Sequence, residues 1–328
     1  MNDLSGASCL VTGGAGFIGS TIVDQLLAAG ASEVRVIDNF VRGSWTNLAS
    51  ALEHGAVKVI DGDIRDASIV SRHTEGVDYI FHQAALRITR CAEEPREAVE
   101  VLIDGTINVL EAALKQKVKK VIAASSASVY GEPSYLPIDE AHPFNNRTMY
   151  GAGKIATEQI MRALHDTSGL CYVAFRPFNV YGPRMDLAGV YTEVLIRWLD
   201  AIEADNPPLI FGDGEQSMDF VFVEDVARAN LLGAKSDIDD DVFNVGTGIQ
   251  TSLNELCALV LRLAGSSLKP EYRPARSVGH VQRRRASTEK AARLLGFDAA
   301  VPLRQGLAEL IRWRQTAKYM RPDVVEAI

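Results

Sequence analysis

The sequence is poor in cysteine and histidine, and neither residue type is clustered. The 328 residues include 4 cysteines and 6 histidines, with no C-x-x-C pair and no spacing typical of metal ligands. A disulfide framework or a structural zinc site is therefore not predicted, and we expect no metal. Isolated thiols are typical of reducing compartments, so we expect reduced cysteines and a cytoplasmic protein.

The sequence also lacks an excess of positive charge and any long apolar run. Acidic residues number 42 against 34 basic ones, a formal net charge of −8, whereas nucleic-acid binders need a basic face. The cluster of Arg283, Arg284 and Arg285 is too short to reverse this balance and is either a solvated segment or a local anion site. No segment approaches the roughly 20 apolar residues of a membrane span, and residues 1–5 are unlike a signal peptide. We expect no nucleic-acid and no membrane partner.

What is present over the first half of the chain is an alternation of short apolar runs and longer amphipathic segments. Helical spacing of apolar residues occurs in 16–29, 97–116 and 150–165. The predicted strands cover 8–12, 33–37, 57–60, 79–82, 121–124 and 172–176. Strands separated by helices form parallel sheets covered on both faces. The expected fold class is α/β, a Rossmann-type doubly wound parallel sheet with a smaller C-terminal α/β lobe.

A glycine-rich turn follows the first predicted strand and opens the first predicted helix. Residues 12–19 read TGGAGFIG, which satisfies G-x-G-x-x-G through its second, third and last glycines. Glycines allow a tight turn and let the backbone approach a pyrophosphate, which then meets unpaired N–H groups at a helix N-terminus. This strand–turn–helix context predicts a dinucleotide site. The contacts expected in this segment are Gly13, Gly16, Phe17, Ile18 and Gly19.

An acidic residue at the end of the second predicted strand indicates which dinucleotide binds. Asp38 lies about 20 residues beyond the last glycine, where a carboxylate can accept hydrogen bonds from both ribose hydroxyls. The same charge repels a 2′-phosphate, so NAD is favoured over NADP, although Arg42 nearby is of the type that accommodates that phosphate. Asp63, after the third strand, is placed to meet the adenine amine.

The composition of the sequence changes after Pro177. Prolines and glycines cluster in 177–184, at 207–208 and in 212–214, and loops of this kind often carry binding residues. Apolar segments within 221–246 are suited to return to the first sheet. We predict an NAD-binding Rossmann domain at 1–176, joined by about 221–246, and a substrate-binding lobe at 177–328.

Tyr150 and Lys154 lie on one face of a predicted helix, and Ser125 and Ser126 end an earlier strand. A phenol has an ordinary pKa of about 10 and is a poor base at neutral pH. A lysine cation and a nicotinamide cation nearby both favour the phenolate. A serine hydroxyl can share the hydrogen bond with a substrate hydroxyl. The Tyr-x-x-x-Lys pair gains its significance from following a dinucleotide turn and a strand-end serine.

With these motifs the chain resembles the extended short-chain dehydrogenase/reductase family, particularly its nucleotide-sugar epimerases of the UDP-glucose 4-epimerase type. The resemblance extends from Thr12 to about Trp313. Besides the glycine turn and the Tyr150-x-x-x-Lys154 pair, the matching segments are 38–39 (DN), 63–64 (DI), 82–85 (HQAA), 125–131 (SSASVYG), 176–184 (RPFNVYGPR), 212–216 (GDGEQ), 219–225 (DFVFVED) and 243–246 (FNVG).

The resemblance implies roles for individual residues and an assembly. Ser126, Tyr150 and Lys154 are the implied catalytic residues, and Asn179 is an implied contact of the substrate diphosphate or of its anchoring backbone. Further implied NAD contacts are Asn39, Ile64, Gln83, Ala84, Ala85 and Ser125, together with Tyr150 and Lys154 themselves. Relatives pair two helices with their symmetry mates, so a homodimer through a four-helix bundle is implied.

Two positions depart from the family pattern. The family usually has arginine where this chain has Met218, and epimerases commonly have asparagine where it has Leu102. Losing a charged phosphate contact is unfavourable unless another cation replaces it. Arg184, Arg273 and the cluster at 283–285 are candidate replacements; alternatively, Met218 belongs to the core and a neighbour supplies the contact. We expect Arg184, Met218 and Arg283 in the substrate site, along with Ser126 and Asn179.

The residues after Ser126 indicate which reaction of this family is favoured. In this family sugar 4,6-dehydratases carry an acidic pair directly after the catalytic hydroxyl residue, and nucleotide-sugar decarboxylases carry a glutamate two positions after it. Here those positions hold Ala127 and Ser128, so no acid is placed to protonate a departing hydroxyl. Epimerisation is therefore favoured over dehydration.

The sequence thus predicts an NAD-dependent epimerase that acts on a nucleotide sugar, a UDP-sugar at C4, by hydride transfer to tightly bound NAD and back. Three alternatives remain at this point. They are a keto-sugar reductase or dehydrogenase with net redox, a sugar-nucleotide dehydratase, and a non-catalytic NAD-binding protein.

Overall fold

The protein is an α/β structure, and the computed structural model describes residues 4–187, 194–275 and 281–319. The strands are β1 (Ser8–Thr12), β2 (Glu33–Asp38), β3 (Val57–Asp61), β4 (Tyr79–His82), β5 (Lys120–Ala124), β6 (Tyr172–Pro177), β7 (Asn179–Tyr181), β8 (Leu209–Phe211), β9 (Ser217–Met218), β10 (Phe220–Phe222), β11 (Asp240–Val245), β12 (Thr251–Ser252) and β13 (Glu271–Arg273). The α-helices are α1 (Phe17–Ala28), α2 (Ala49–Glu53), α3 (Ala67–Thr74), α4 (Ile88–Glu93), α5 (Pro95–Val99), α6 (Gly105–Gln116), α7 (Met149–Ser168), α8 (Val194–Glu203), α9 (Val223–Lys235), α10 (Leu253–Leu263), α11 (Glu289–Leu295) and α12 (Leu303–Tyr319). Short 3-10 helices cover Trp45–Leu48 and Ala127–Tyr130, and a π-helical segment covers Glu100–Asp104.

The main sheet has seven parallel strands in the order β11-β6-β5-β4-β1-β2-β3. Strands β1, β4, β5 and β6 are almost wholly buried, as expected where helices cover both faces of a sheet. The strand order reverses at β1, which has β4 on one side and β2 on the other. Open α/β sheets bind ligands beyond the carboxyl ends of their strands at such a reversal. The Rossmann-type fold predicted from the sequence is confirmed.

The segment predicted as one helix over 97–116 is divided in the structure. Helix α5 ends at Val99, the π-helical segment follows, and α6 begins at Gly105. A Cβ atom on Gly105 would lie 2.8 Å from two side-chain carbons of Ile64, so glycine lets the helix pass close to the loop after β3. Hydrophobic spacing predicts the helix but does not locate one widened turn inside it.

Three described elements beyond Pro177 return to the sheet, and one of them is α11, which packs against β11. Strand β11 pairs with β6, and α9 packs against α1. The other C-terminal elements enclose a separate core that includes Trp198, Leu256 and Leu307. We propose that 1–176 with about 221–246 form the cofactor domain and that the rest of 177–328 forms the substrate lobe. Within the three described ranges, no helix combines the length and the apolar character needed to cross a bilayer.

His82 is buried at the end of β4 between two threonines. Its Nδ1 lies 2.8 Å from Thr12 Oγ1, and its Nε2 lies 3.0 Å from Thr106 Oγ1. Burial, helped by the charge of Lys154, lowers the pKa of His82 to about 3. The unfolded side chain has a pKa of about 6.5, so the unfolded chain gains this proton first as the pH falls. Stability from the neutral imidazole is therefore complete above about pH 6.5 and is lost as the pH falls toward 3.

We expect this loss to disappear in His82→Gln. Between pH 7 and pH 5 the free energy of unfolding should fall by about 2 kcal/mol more in the wild type than in the variant. Urea unfolding of both proteins at the two pH values measures the difference. An equal fall in both proteins would show that the folded protein binds a proton at His82 as readily as the unfolded chain does.

Candidate active site

A cleft of about 1020 Å³ opens at the carboxyl ends of the central strands. Its walls come from the glycine turn after β1, the ends of β2 and β5, the start of α7, and β9 of the C-terminal lobe. Every residue expected from the sequence to bind the cofactor or the substrate lines this cleft, with the exception of Arg283. Residues that are far apart in the sequence are thus brought together at one place.

The glycine turn leaves no room for a side chain at Gly13 or at Gly19. Gly13 has a φ of +67°, and a Cβ atom on it would lie 2.7 Å from the backbone nitrogen of Ala84. A Cβ atom on Gly19 would lie 2.2 Å from the carbonyl oxygen of Gly13. Helix α1 begins after Gly16, with no side-chain capping bond and no acidic residue in its first turn. Its first N–H groups therefore remain available to a pyrophosphate, which is what a dinucleotide requires.

We expect Gly19→Ala to weaken NAD binding by about tenfold or more. The turn must move by roughly 1 Å to restore ordinary contact distances, and each hydrogen bond to a charged phosphate is worth about 1.5–3 kcal/mol. Calorimetric titration with NAD measures the change. Gly55→Ala is the control, because that exposed glycine also has a positive φ, of +73°, but an added Cβ meets no atom within 4 Å. Equal affinities in the two variants would contradict a phosphate-binding role for the turn.

The end of β2 presents a carboxylate to the same cleft. Asp38 Oδ2 accepts a hydrogen bond from Ala15 N and Oδ1 accepts one from Phe40 N, both at 2.9 Å. Burial raises the pKa of Asp38, and these two backbone bonds lower it. The carboxylate therefore fixes the turn and lines the cleft where the sequence predicts a ribose contact. Arg42, the alternative 2′-phosphate contact, lies 3.4 Å from Asp186 instead.

Asp63 has protein partners of its own. Its Oδ2 accepts hydrogen bonds from Asn39 Nδ2 and Arg65 Nη2, each at 2.8 Å. The Arg65 hydrogen bonds are the main reason why the pKa of Asp63 falls to about 2. The side chain that the sequence placed against the adenine amine is thus an anion held by two neighbours at the edge of the cleft.

The catalytic residues predicted from the sequence meet at the start of α7. Thr148 Oγ1 accepts a hydrogen bond from Gly151 N at 3.1 Å, so the helix begins immediately before Tyr150. The Tyr150 hydroxyl is hydrogen-bonded to Ser126. Lys154 is buried, and its Nζ donates to the carbonyl oxygen of Ala124 at 2.6 Å and lies 5.8 Å from the centre of the Tyr150 ring.

The charge states of this group differ from the expectation. Burial raises the pKa of Tyr150, and the hydrogen bond from Ser126 opposes the rise. Burial also lowers the pKa of Lys154 to about 8. In the chain alone desolvation outweighs the hydrogen bond from Ser126, whereas the lowered pKa was predicted with a nicotinamide cation beside the phenol as well as Lys154. A further positive charge is needed to favour the phenolate.

A buried ion pair next to Ser125 was not found from the sequence. Arg176 donates to Glu158 from Nε at 2.8 Å and from Nη2 at 2.6 Å, and both side chains are buried. Glu158 also accepts a hydrogen bond from the Ser125 hydroxyl. Arg176 Nη1 donates to the Tyr130 hydroxyl at 2.8 Å. The pair thus fixes α7 to the ends of β5 and β6.

The residues expected to contact the substrate differ in whether they have polar partners within the protein. Asn179 Nδ2 donates to the carbonyl oxygen of Asp219 at 3.3 Å, and Arg184 pairs with Asp24 at 2.6 Å. Met218 is half-buried in β9 and lines the cleft, and the alternative replacement Arg273 pairs with Glu271 outside it. Leu102, the other departure, packs beside Tyr150 in a small apolar cluster.

Arg283 is the one expected site residue that the structure places elsewhere. It is exposed and does not line the cleft, whereas its neighbour Arg284 does. Side chains of consecutive residues in an extended segment point to opposite sides, so only alternate members of the arginine cluster can face the same way. The sequence identified the cluster, and the member that lines the cleft is Arg284 and not the expected Arg283.

The family to which this chain belongs follows from comparison with known proteins. Residues 9–246 match the model of the NAD dependent epimerase/dehydratase family. The chain is a member of that family. The match covers the glycine turn, the predicted catalytic residues, α9 and β11.

The chain is similar to enzymes named for a neutral sugar and to an enzyme named for an acidic sugar. A UDP-glucose 4-epimerase from Mycolicibacterium smegmatis is 37% identical, over 93% of this chain and 97% of its own. A UDP-N-acetyl-alpha-D-glucosaminuronate decarboxylase from Bacillus cytotoxicus is 32% identical, with the same two coverages of 93% and 97%. A structure of UDP-N-acetylglucosamine 4-epimerase from Methanobrevibacter ruminantium, in complex with UDP-N-acetylmuramic acid, has a TM-score of 0.91 and 33% identity, covering 95% of this chain and 99% of that chain.

The cofactor and the enzyme class follow from this membership. The protein is an NAD-dependent enzyme of the epimerase type. The crowded glycines of the turn, the uncapped start of α1 and the carboxylate of Asp38 fit this dinucleotide.

Proposed function

We propose that the protein epimerises a UDP-sugar at C4 by transient oxidation and return of the same hydride. The observation that carries this proposal is the group of Ser126, Tyr150 and Lys154 at one end of the cleft, without an acidic residue at 127 or 128. Tightly bound NAD supplies the hydride acceptor and, once reduced, the hydride donor. The remaining chemistry is acid–base chemistry, and it falls to side chains of this chain.

Each catalytic side chain has a distinct task in this proposal. Tyr150 takes the proton of the reacting hydroxyl and later gives it back. Ser126, hydrogen-bonded to Tyr150, holds the oxygen of the substrate between the two hydroxyls. Lys154, fixed by the Ala124 carbonyl, places a positive charge near the phenol ring and favours its ionised form.

The cofactor contacts are proposed from the same cleft. They are Gly13, Gly16, Phe17, Ile18, Gly19, Asp38, Asn39, Asp63, Ile64, Gln83, Ala84, Ala85, Ser125, Tyr150 and Lys154. Asn179, Arg184 and Met218 line the lobe side, where we place the nucleoside diphosphate. A cytoplasmic location is proposed with them, since all four cysteines are free thiols.

Turnover of defined sugars tests the proposed reaction. The purified protein is incubated with UDP-glucose, UDP-galactose and their N-acetyl and uronate relatives, and products are identified by NMR. We expect interconversion of a C4 pair with no net change in NADH absorbance. Stoichiometric NADH consumption or formation would favour a reductase or dehydrogenase, and loss of water would favour a dehydratase. Binding of these sugars without any turnover would favour a non-catalytic protein.

We also propose a homodimer formed through α5, α6 and α7. Val99, Ile103, Met149 and Ala152 leave apolar side chains accessible on neighbouring turns of these helices and line a shallow depression. A second copy of the same surface can cover them in a four-helix arrangement.

A charged substitution in this surface tests the proposed dimer. We expect Ile103→Glu to be a monomer at micromolar concentration, because pairing would bury an unpartnered carboxylate. Light scattering after gel filtration gives the mass. Arg293→Glu on α11 is the control, since it changes an exposed charge on a different helix. A monomeric wild type, or a dimeric Ile103→Glu, would contradict this arrangement.

A further inference from the structure

Arg284 is the member of the arginine cluster that enters the cleft. Its backbone nitrogen donates to the carbonyl oxygen of Ser217 at 2.9 Å, which fixes the segment beside β9. Its exposed neighbours lie on the other side, where Arg285 Nε donates to the carbonyl oxygen of Gly248 at 3.0 Å. The Arg284 side chain therefore lines the cleft because of the alternation of an extended segment.

The guanidinium of Arg284 has no anionic partner within the described ranges. Its Nε is sealed from solvent and makes no hydrogen bond there, and no ion pair involves this residue. Burial lowers the pKa of Arg284, and the nearby Glu132 carboxylate opposes that shift. Glu132 itself accepts a hydrogen bond from Gln282 N at 3.2 Å. Arg284 is half-buried, and no ion pair within the described ranges compensates its charge, so this position is suited to an anion that arrives with a ligand.

The surroundings of Arg284 place that anion near the reacting part of the substrate. Ala286, two residues later, belongs to the same buried apolar cluster as Ala127 and Val129 of the 3-10 helix that follows Ser126. The same helix holds Ser128, whose buried Oγ also lacks a hydrogen-bond partner among the described residues and whose side chain lines the cleft. Arg284 and Ser128 thus both line the cleft, and each has one buried polar atom without a hydrogen-bond partner among the described residues.

We propose that Arg284 and Ser128 bind a carboxylate on the sugar, so that the preferred substrate is a UDP-uronate rather than a neutral UDP-hexose. This inference rests on the proposed UDP-sugar function and specifies its substrate class. A guanidinium binds a carboxylate through paired, charge-assisted hydrogen bonds, and a serine hydroxyl adds one further donor. The diphosphate is the other anion of such a ligand, and the experiment separates the two.

Calorimetric titration of the NAD-loaded protein with UDP-glucuronate, UDP-glucose and UDP tests the proposal without turnover. We expect the wild type to bind UDP-glucuronate more tightly than UDP-glucose. Arg284→Gln should weaken UDP-glucuronate binding by about 10- to 100-fold, with UDP-glucose and UDP within about threefold of the wild type. Arg283→Gln, an exposed change in the same segment, is the matched control and should bind all three like the wild type.

Two results would overturn the assignment. Equal weakening of all three ligands in Arg284→Gln would mean that Arg284 holds the diphosphate. A wild type that binds UDP-glucose at least as tightly as UDP-glucuronate would remove the uronate preference without any variant. Failure of the epimerase proposal is a separate outcome, because it would appear as absent turnover while the binding preference persisted.

Discussion

Tyr150→Phe is expected to lower kcat by about 10²–10⁴-fold while leaving NAD affinity within about threefold of the wild type. The substitution removes one oxygen atom, the atom that takes and returns the proton of the substrate. The ring remains beside Lys154 and Leu102, so the packing at the start of α7 is preserved. Loss of activity with retained cofactor would therefore reflect proton transfer and not the fold.

The matched control for this prediction is Tyr135→Phe. Tyr135 is an exposed tyrosine whose hydroxyl donates to Asp139 at 2.7 Å, away from the cleft lining. Its removal should leave turnover unchanged. Initial rates with the best UDP-sugar and NAD titrations on both variants provide the comparison. Full activity in Tyr150→Phe would contradict the assigned role of the phenol.

Arg176→Met is expected to lower the free energy of unfolding by about 3–5 kcal/mol. The substitution keeps much of the side-chain volume but leaves Glu158 as a buried carboxylate without its cation. It also removes the donor to the Tyr130 hydroxyl. Because Glu158 accepts a hydrogen bond from Ser125, the end of β5 should loosen as well. Denaturant unfolding measures the loss.

Two comparisons separate the buried pair from ordinary surface charge. Lys119→Met breaks an exposed pair with Asp78 and should change stability far less. Adding Glu158→Leu to Arg176→Met should recover part of the loss, since no unpaired charge then remains in the interior. If Arg176→Met were as stable as the wild type, the pair would not be what fixes α7 to the sheet.

The parts of the fold and site that could be predicted from the sequence are those with local signals. The glycine turn carries its own sequence pattern, and Asp38 follows at a fixed distance along the chain. The Tyr150 and Lys154 pair is fixed by helical spacing. Each of these features lines the cleft in the structure. Short apolar runs were enough to predict six of the seven strands of the main sheet, all except β11.

The parts that could not be predicted depend on contacts between distant residues. Arg176 and Glu158 are 18 residues apart, on a strand and a helix. Their local sequences contain no pattern that predicts a buried ion pair. Whether Arg283 or Arg284 enters the cleft depends on which side of the extended segment faces the cleft. The pKa of Tyr150 depends on how completely its surroundings exclude water. Burial and side-chain direction are results of tertiary packing, which sequence spacing does not contain.

Isotope tracing tests the central claim, that one hydride leaves a sugar carbon and returns to that same carbon. A UDP-sugar deuterated at C4 is converted by the NAD-loaded protein, and the product is examined by NMR. The account predicts that the epimer keeps deuterium at C4, with no net release of NADH. Exchange of the label with solvent, or its accumulation in released NADH, would contradict the account.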